Sequence, residues 1–202
     1  MKRLLCLGDS ITDCNHLFSP SPYGDGYVRL LADELGADAD LQVLNRGIDG
    51  FTVQRLLDHS DEYLACNADV ITILIGINDI GVMMNTNRTK LQQQTLLAEF
   101  CEKYKCLLSR LASQQTSIVL MGPFIFPWPA FYQHWIPHTE AMSDLIKELA
   151  DCFQLPFLPL QKRFQKELER HSVSELTTDG IHLTPLGHQL LAGWLLPLLK
   201  PR

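Results

Sequence analysis

No run of about 18 consecutive apolar residues occurs in this 202-residue chain, so the ordinary signature of a membrane-spanning helix is missing. Excess positive charge is missing too: 17 Lys and Arg stand against 23 Asp and Glu, a net charge of −6. A nucleic-acid binder needs a basic surface, so no nucleic-acid partner is expected. There is no G-x-G-x-x-G and no P-loop lysine, which argues against a phosphate- or nucleotide-binding module. C-x-x-C does not occur, and Cys and His do not cluster at zinc spacing, so no metal is expected. The apolar part of the N-terminus after Lys2-Arg3 is too short for a signal peptide, and no small-residue cleavage site follows it. The expected compartment is the cytoplasm.

What is present suits one globular domain over residues 1–202. The chain is long enough for a real core, and 46% of it is hydrophobic. The six cysteines, at 6, 14, 66, 101, 106 and 152, read as reduced thiols; Cys6, Cys101, Cys106 and Cys152 lie in apolar stretches and are expected to be buried. Four short runs rich in branched residues predict buried strands: Arg3–Leu7, Leu41–Leu44, Val70–Ile75 and Ile118–Met121. A weaker fifth is Phe157–Leu160. Between them lie helical patterns. One starts at an Asp25 cap and ends at Gly36, a short one follows Phe51, a long amphipathic one runs from Leu96 to Leu111, and another spans Met142 to Leu149. Thr184-Pro185 is a cap with proline in the first helical position, opening a last helix that runs to about Leu199. Alternating strand and helix predicts an α/β domain whose parallel sheet is covered on both faces.

Open parallel sheets bind ligands beyond the carboxyl ends of their strands. Gly8-Asp9-Ser10 follows the first strand, Asn45-Arg46-Gly47 the second, and Gly76-Ile77-Asn78-Asp79 the third; Asp179-Gly180-Ile181-His182 precedes the last helix. Together they hold the parts for acyl transfer. Ser10 is a weak nucleophile that needs a base. His182 suits that role, and Asp179, three residues before it, can fix its tautomer. The backbone N–H of Ser10, that of Gly47 and the Asn78 amide are candidate donors to a tetrahedral oxyanion. Asp9 and Asp13 read as turn or cap residues, Asp79 as a loop brace, and His188 as a packing or surface residue of the last helix.

These four blocks, GDSITD, the glycine of NRGIDG, GIND and DGIHLTPLGH, resemble in order the sequence blocks of the SGNH hydrolases, or GDSL-type esterases. The likeness runs from residue 4 to about 190. It implies a flavodoxin-like three-layer α/β/α sandwich with five parallel strands, a Ser10–His182–Asp179 triad, and an oxyanion hole of Ser10, Gly47 and Asn78. It departs from the family name at Ile11-Thr12, where a leucine is implied. Thr12 also breaks G-x-S-x-G, which argues against the α/β-hydrolase elbow. The implied activity is hydrolysis of small carboxylic esters, short-chain or O-acetyl, through an acyl-enzyme, with no metal or organic cofactor needed. An acyltransferase, thioesterase or lysophospholipase could use the same residues, and a pseudoenzyme should have lost a triad member, which this chain has not. Six of the 17 aromatics (Phe124, Phe126, Trp128, Phe131, Tyr132 and Trp135) crowd residues 123–137 after the fourth strand. They are candidates for a substrate wall, or else for a loop pinned by its own side chains. Residues 19–26 are a second border of the site.

Overall fold

The computed structural model describes residues 2–36, 41–85, 87–112 and 116–199. Five parallel strands form one sheet: β1 (Lys2–Gly8), β2 (Leu41–Gly47), β3 (Val70–Leu74), β4 (Ser117–Met121) and β5 (Phe157–Leu158), in the spatial order β2-β1-β3-β4-β5. The connections carry α1 (Ser10–Asp13), α2 (Tyr27–Leu35), α3 (Val53–Asp58), α4 (Ser60–Ala65), α5 (Ile77–Met84), α6 (Lys90–Leu111), α7 (Ile136–Cys152), α8 (Leu160–Glu167), α9 (Val173–Leu176) and α10 (Pro185–Leu199). The strand order is that of a flavodoxin-like doubly wound sheet, as expected.

The central strands are buried on both faces, which is why they read as unbroken apolar runs rather than as alternating ones. Leu4, Leu5, Leu7, Ile73, Leu74 and Leu120 are all closed to solvent. Gly8 of β1 pairs with Gly47 of β2 and with Leu74 of β3, so the three segments after these strands leave the sheet side by side.

Three expectations need correction. The fifth strand stops at Leu158, because Pro159 has no N–H to give the ladder and α8 starts at Leu160. Gly26, not Asp25, is the N-cap of α2; the Asp25 carboxylate turns instead to Asn15 and Arg29. All six cysteines are free, but Cys106 and Cys152 are exposed, since they fall on the outer faces of α6 and α7.

Candidate active site

The turn after β1 sets the serine. Asp9 is extended and caps α1: its Oδ1 accepts from the Ile11 N–H at 3.1 Å, and its carbonyl from Thr12 and Asp13. Ser10 is therefore the first helical residue. Its Oγ lies 2.9 Å from His182 Nε2, and His182 Nδ1 lies 2.6 Å from Asp179 Oδ2. With Nδ1–H donated to the carboxylate, Nε2 is left as the acceptor for the serine proton.

The Asp–His loop is held from several sides. Asp179 Oδ1 accepts from the Ile181 and His182 N–H groups at 2.9 and 2.8 Å. The Thr177 hydroxyl donates to the His182 carbonyl, and Gly180 carbonyl accepts from the Phe126 N–H. Gly180 has φ of 99°, and a Cβ there would stand 2.0 Å from the Trp128 carbonyl oxygen, so only glycine lets the loop pass so close. Burial pushes the Asp179 carboxyl up, but hydrogen bonds from the His182 ring and from the His182 and Ile181 amides outweigh it and hold it below its ordinary value.

The three expected oxyanion donors differ in their state. No acceptor among the described residues takes the Ser10 N–H. One Asn78 amide hydrogen goes to the Phe51 carbonyl at 2.9 Å, which fixes the amide; its second hydrogen has no acceptor among the described residues. The Gly47 N–H is donated to Asn45 Oδ1 at 2.9 Å. The Asn45 amide nitrogen in turn donates to the Thr12 and Tyr23 carbonyls, so one buried asparagine ties β2 to the segment after the serine. Gly47 serves close packing, since a Cβ there would lie 2.2 Å from the Asp13 nitrogen. Asn45 is a bracing residue that the motifs do not single out; its sign in the sequence is an asparagine at the end of an apolar run, two residues before a glycine.

Two buried carboxyls flank these donors. Asp9 Oδ2 is buried with no hydrogen-bond partner among the described residues. Burial pushes its pKa up to about 7, against the pull of the Ile11 amide and the His182 ring; the nearby Asp79 adds to the rise. Burial also raises Asp79 to about 7, although its Oδ2 accepts from the Val53 N–H at 3.1 Å and so braces the start of α3.

The aromatic segment divides. Phe124 and Phe126 are wholly buried and pack on Phe164, so they are core and not wall; Trp135 is buried as well. Trp128 and Phe131 are half exposed, and the Tyr132 ring lies against Gly180 beside Asp179. Elsewhere, His188 Nδ1 accepts the Tyr27 N–H, which puts its proton on Nε2, 3.5 Å from Cys14 Sγ. A nitrogen that holds its proton cannot take one from the thiol, so this pair is not a second nucleophile. Among the described residues no three His, Cys, Asp or Glu side chains are grouped to hold a metal ion, and no helix is long and apolar enough to cross a membrane.

Comparison with known proteins agrees with this geometry. Residues 6–190 match the family model of the GDSL-like Lipase/Acylhydrolase family. The chain is 28% identical to the acetylxylan esterase of Geobacillus stearothermophilus over 203 residues, 95% of this chain and 90% of that one. It is 25% identical to the isoamyl acetate-hydrolyzing esterase of Saccharomyces cerevisiae over 217 residues, 98% of this chain and 86% of that one. The crystal structure of the Geobacillus acetylxylan esterase Axe2 superposes with a TM-score of 0.85 at 25% identity, over 100% of this chain and 95% of that one. Catalytic mutants of Axe2 change a serine, an aspartate and a histidine to alanine, the last two being three positions apart.

Proposed function

The chain belongs to the GDSL-like lipase/acylhydrolase family and is a carboxylic ester hydrolase; from that premise we propose that Ser10, His182 and Asp179 are its catalytic triad and short-chain esters, acetates above all, its substrates. The unbroken hydrogen-bond line Ser10–His182–Asp179 carries the assignment. Ser10 Oγ attacks the ester carbonyl while His182 Nε2 takes its proton, and the carbonyl π electrons move onto oxygen. The Ser10 N–H and the second Asn78 N–H stabilise that oxyanion. Collapse of the adduct expels the alcohol, protonated by His182, and leaves an acyl-serine. Water, deprotonated by His182, then releases the acid and restores the hydroxyl. The charge on Asp179 stabilises the imidazolium in both steps.

The acetate preference rests on the two curated relatives, both named for acetyl esters. Trp128, Phe131 and Tyr132, next to the Asp–His loop, are assigned to the alcohol side. A cytoplasmic site of action goes with this reading, since six free thiols suit a reducing compartment.

The test is to quench the protein during turnover of p-nitrophenyl acetate and find the acetyl group by peptide mass spectrometry. Acetyl on the Ser10 peptide is expected; acetyl elsewhere, or none under burst conditions, would remove Ser10 from the mechanism. Across a series of p-nitrophenyl esters, kcat/KM should fall from acetate to octanoate. Asn78→Ala is expected to lower kcat about 10²–10³-fold with little change in KM. A loss seen in KM alone would make Asn78 a binding residue.

A further inference from the structure

Strands place only part of this site. Ser10 and Asn78 follow β1 and β3, which pair directly, so the sheet itself sets their spacing. The loop of Asp179 and His182 follows no strand of the sheet, and the Thr177–Leu183 bridge closes it on itself. Its position over Ser10 therefore comes from packing. The segment from Tyr132 to Met142 supplies part of that packing, and it touches the Asn78 helix as well. In three places one of its large side chains is seated on a glycine. Met142, closed to solvent in α7, meets Gly76, the N-cap of α5, where a Cβ would stand 2.7 Å from the Met142 Sδ. Trp135, the N-cap of α7, lies over Gly81, one turn beyond Asn78 in α5, where a Cβ would stand 3.7 Å from the Trp135 Cη2. Tyr132 covers Gly180, between Asp179 and His182, where a Cβ would stand 2.7 Å from the Tyr132 Cδ2. The Tyr132 and Trp135 rings meet edge to face, with centroids 4.9 Å apart and planes at 72°. The Trp135 N–H donates to the Tyr132 carbonyl, and the Trp135 carbonyl accepts from both the N–H and the hydroxyl of buried Thr139. A continuous line of contact runs from α5 through Trp135 and Tyr132 to the Asp–His loop.

We propose that Tyr132 and Trp135 are positioning residues, an aromatic brace that fixes the Asp179–His182 loop relative to the Asn78 helix, and hence to Ser10, taking His182 and Asn78 in the roles proposed for them. Aromatic rings turn about only two side-chain bonds, so a locked pair holds a distance that longer flexible side chains would not. Proton transfer and oxyanion binding both need such a fixed distance, since a misplacement of about 1 Å costs on the order of 10²-fold in rate. The brace has two arms. Trp135 sets Asn78 through Gly81, and Tyr132 sets Asp179 and His182 through Gly180. The work is done by the rings, not by the Tyr132 hydroxyl.

A cycle of variants assayed on p-nitrophenyl acetate, with a proton spectrum of each, tests this. Trp135→Phe and Tyr132→Ala are each expected to lower kcat about tenfold, and Tyr132→Phe, which keeps the ring, should recover most of the loss. Tyr132 is only partly buried, so its truncation spares the core if the Trp135 variant folds poorly. In an Asn78→Ala protein, Trp135→Phe should cost almost nothing further, because the group it places is gone. The His182 Nδ1 proton, shared with Asp179 over 2.6 Å, should resonate far downfield. It is expected to be sharp in the wild type and in Tyr132→Phe and broadened in Tyr132→Ala. A full tenfold loss from Trp135→Phe in the Asn78→Ala background would overturn the proposal. So would an unchanged resonance in Tyr132→Ala, or a loss there in KM alone, which would leave Tyr132 as an alcohol contact only. A wild-type kcat in Asn78→Ala by itself would strike the oxyanion assignment instead; the resonance, which needs no turnover, still decides whether Tyr132 holds the Asp–His loop.

Discussion

Ser10→Ala is expected to lower kcat for p-nitrophenyl acetate by about 10⁴-fold or more and to leave thermal unfolding nearly unchanged. The rate loss follows from chemistry, because no other hydroxyl or thiol is served by a base in this site. His182 Nε2 faces only Ser10, and Cys14 meets a histidine nitrogen that carries its proton. The unchanged stability follows from structure. Among the described residues the serine side chain bonds only to His182, and the cap of α1 comes from Asp9. His182→Ala should cost a similar factor, and the double variant little more than either alone, since the two groups act as one device. Additive losses would mean that they serve separate steps. Stopped-flow assays on the three variants, with unfolding scans on each, decide between these outcomes.

The sheet and the residues that form the Ser10–His182–Asp179 hydrogen-bond line were legible in the sequence for the same reason. Strands covered on both faces must be continuous apolar runs, so their ends, where the polar blocks begin, mark the ligand edge. Asp179 and His182 could be paired because three residues with a central glycine permit a tight turn. Legibility failed where a residue's partner lies far along the chain. Aromatic density in residues 123–137 could not tell the core from the rim; Phe124 and Phe126 face inward only because Phe164 of α8 is there to receive them. The donor state of Gly47 depended on a side chain two positions away that also grips Thr12 and Tyr23. Helix α5 was hidden under its motif: GIND reads as a turn, yet Ile77, Ile80 and Met83 recur at helical spacing and are buried. Asp9 was foreseen as a cap, but nothing local said that its second oxygen would be sealed without a partner.

That sealed oxygen gives the other large effect, which concerns stability. Asp9 has a folded pKa of about 7, raised by burial from its ordinary 3.8. A carboxyl with a raised folded pKa binds more protons folded than unfolded. Its contribution is therefore intact below pH 4, declines as pH rises through about 7, and is constant beyond. A span of roughly three units amounts to about 4 kcal/mol. His188 works in the opposite sense. Burial pushes its pKa down to about 4, so its contribution is intact above its ordinary 6.5 and lost as pH falls toward 4. Asp79, also raised to about 7, adds to the Asp9 side; because the three overlap, the wild-type curve alone does not resolve them, but a variant difference does. Asp9→Asn keeps an Oδ1 to accept from Ile11 and removes the charge. The variant is expected to match the wild type near pH 4 and to exceed it by about 4 kcal/mol at pH 8 in urea unfolding. A constant difference across that range would mean that Asp9 stays ionised in the fold. If the stabilised variant also turns over more slowly at pH 8, the natural carboxylate beside the proposed oxyanion site contributes to activity at the cost of stability, the exchange expected where a charge is held without a partner beside the proposed nucleophile.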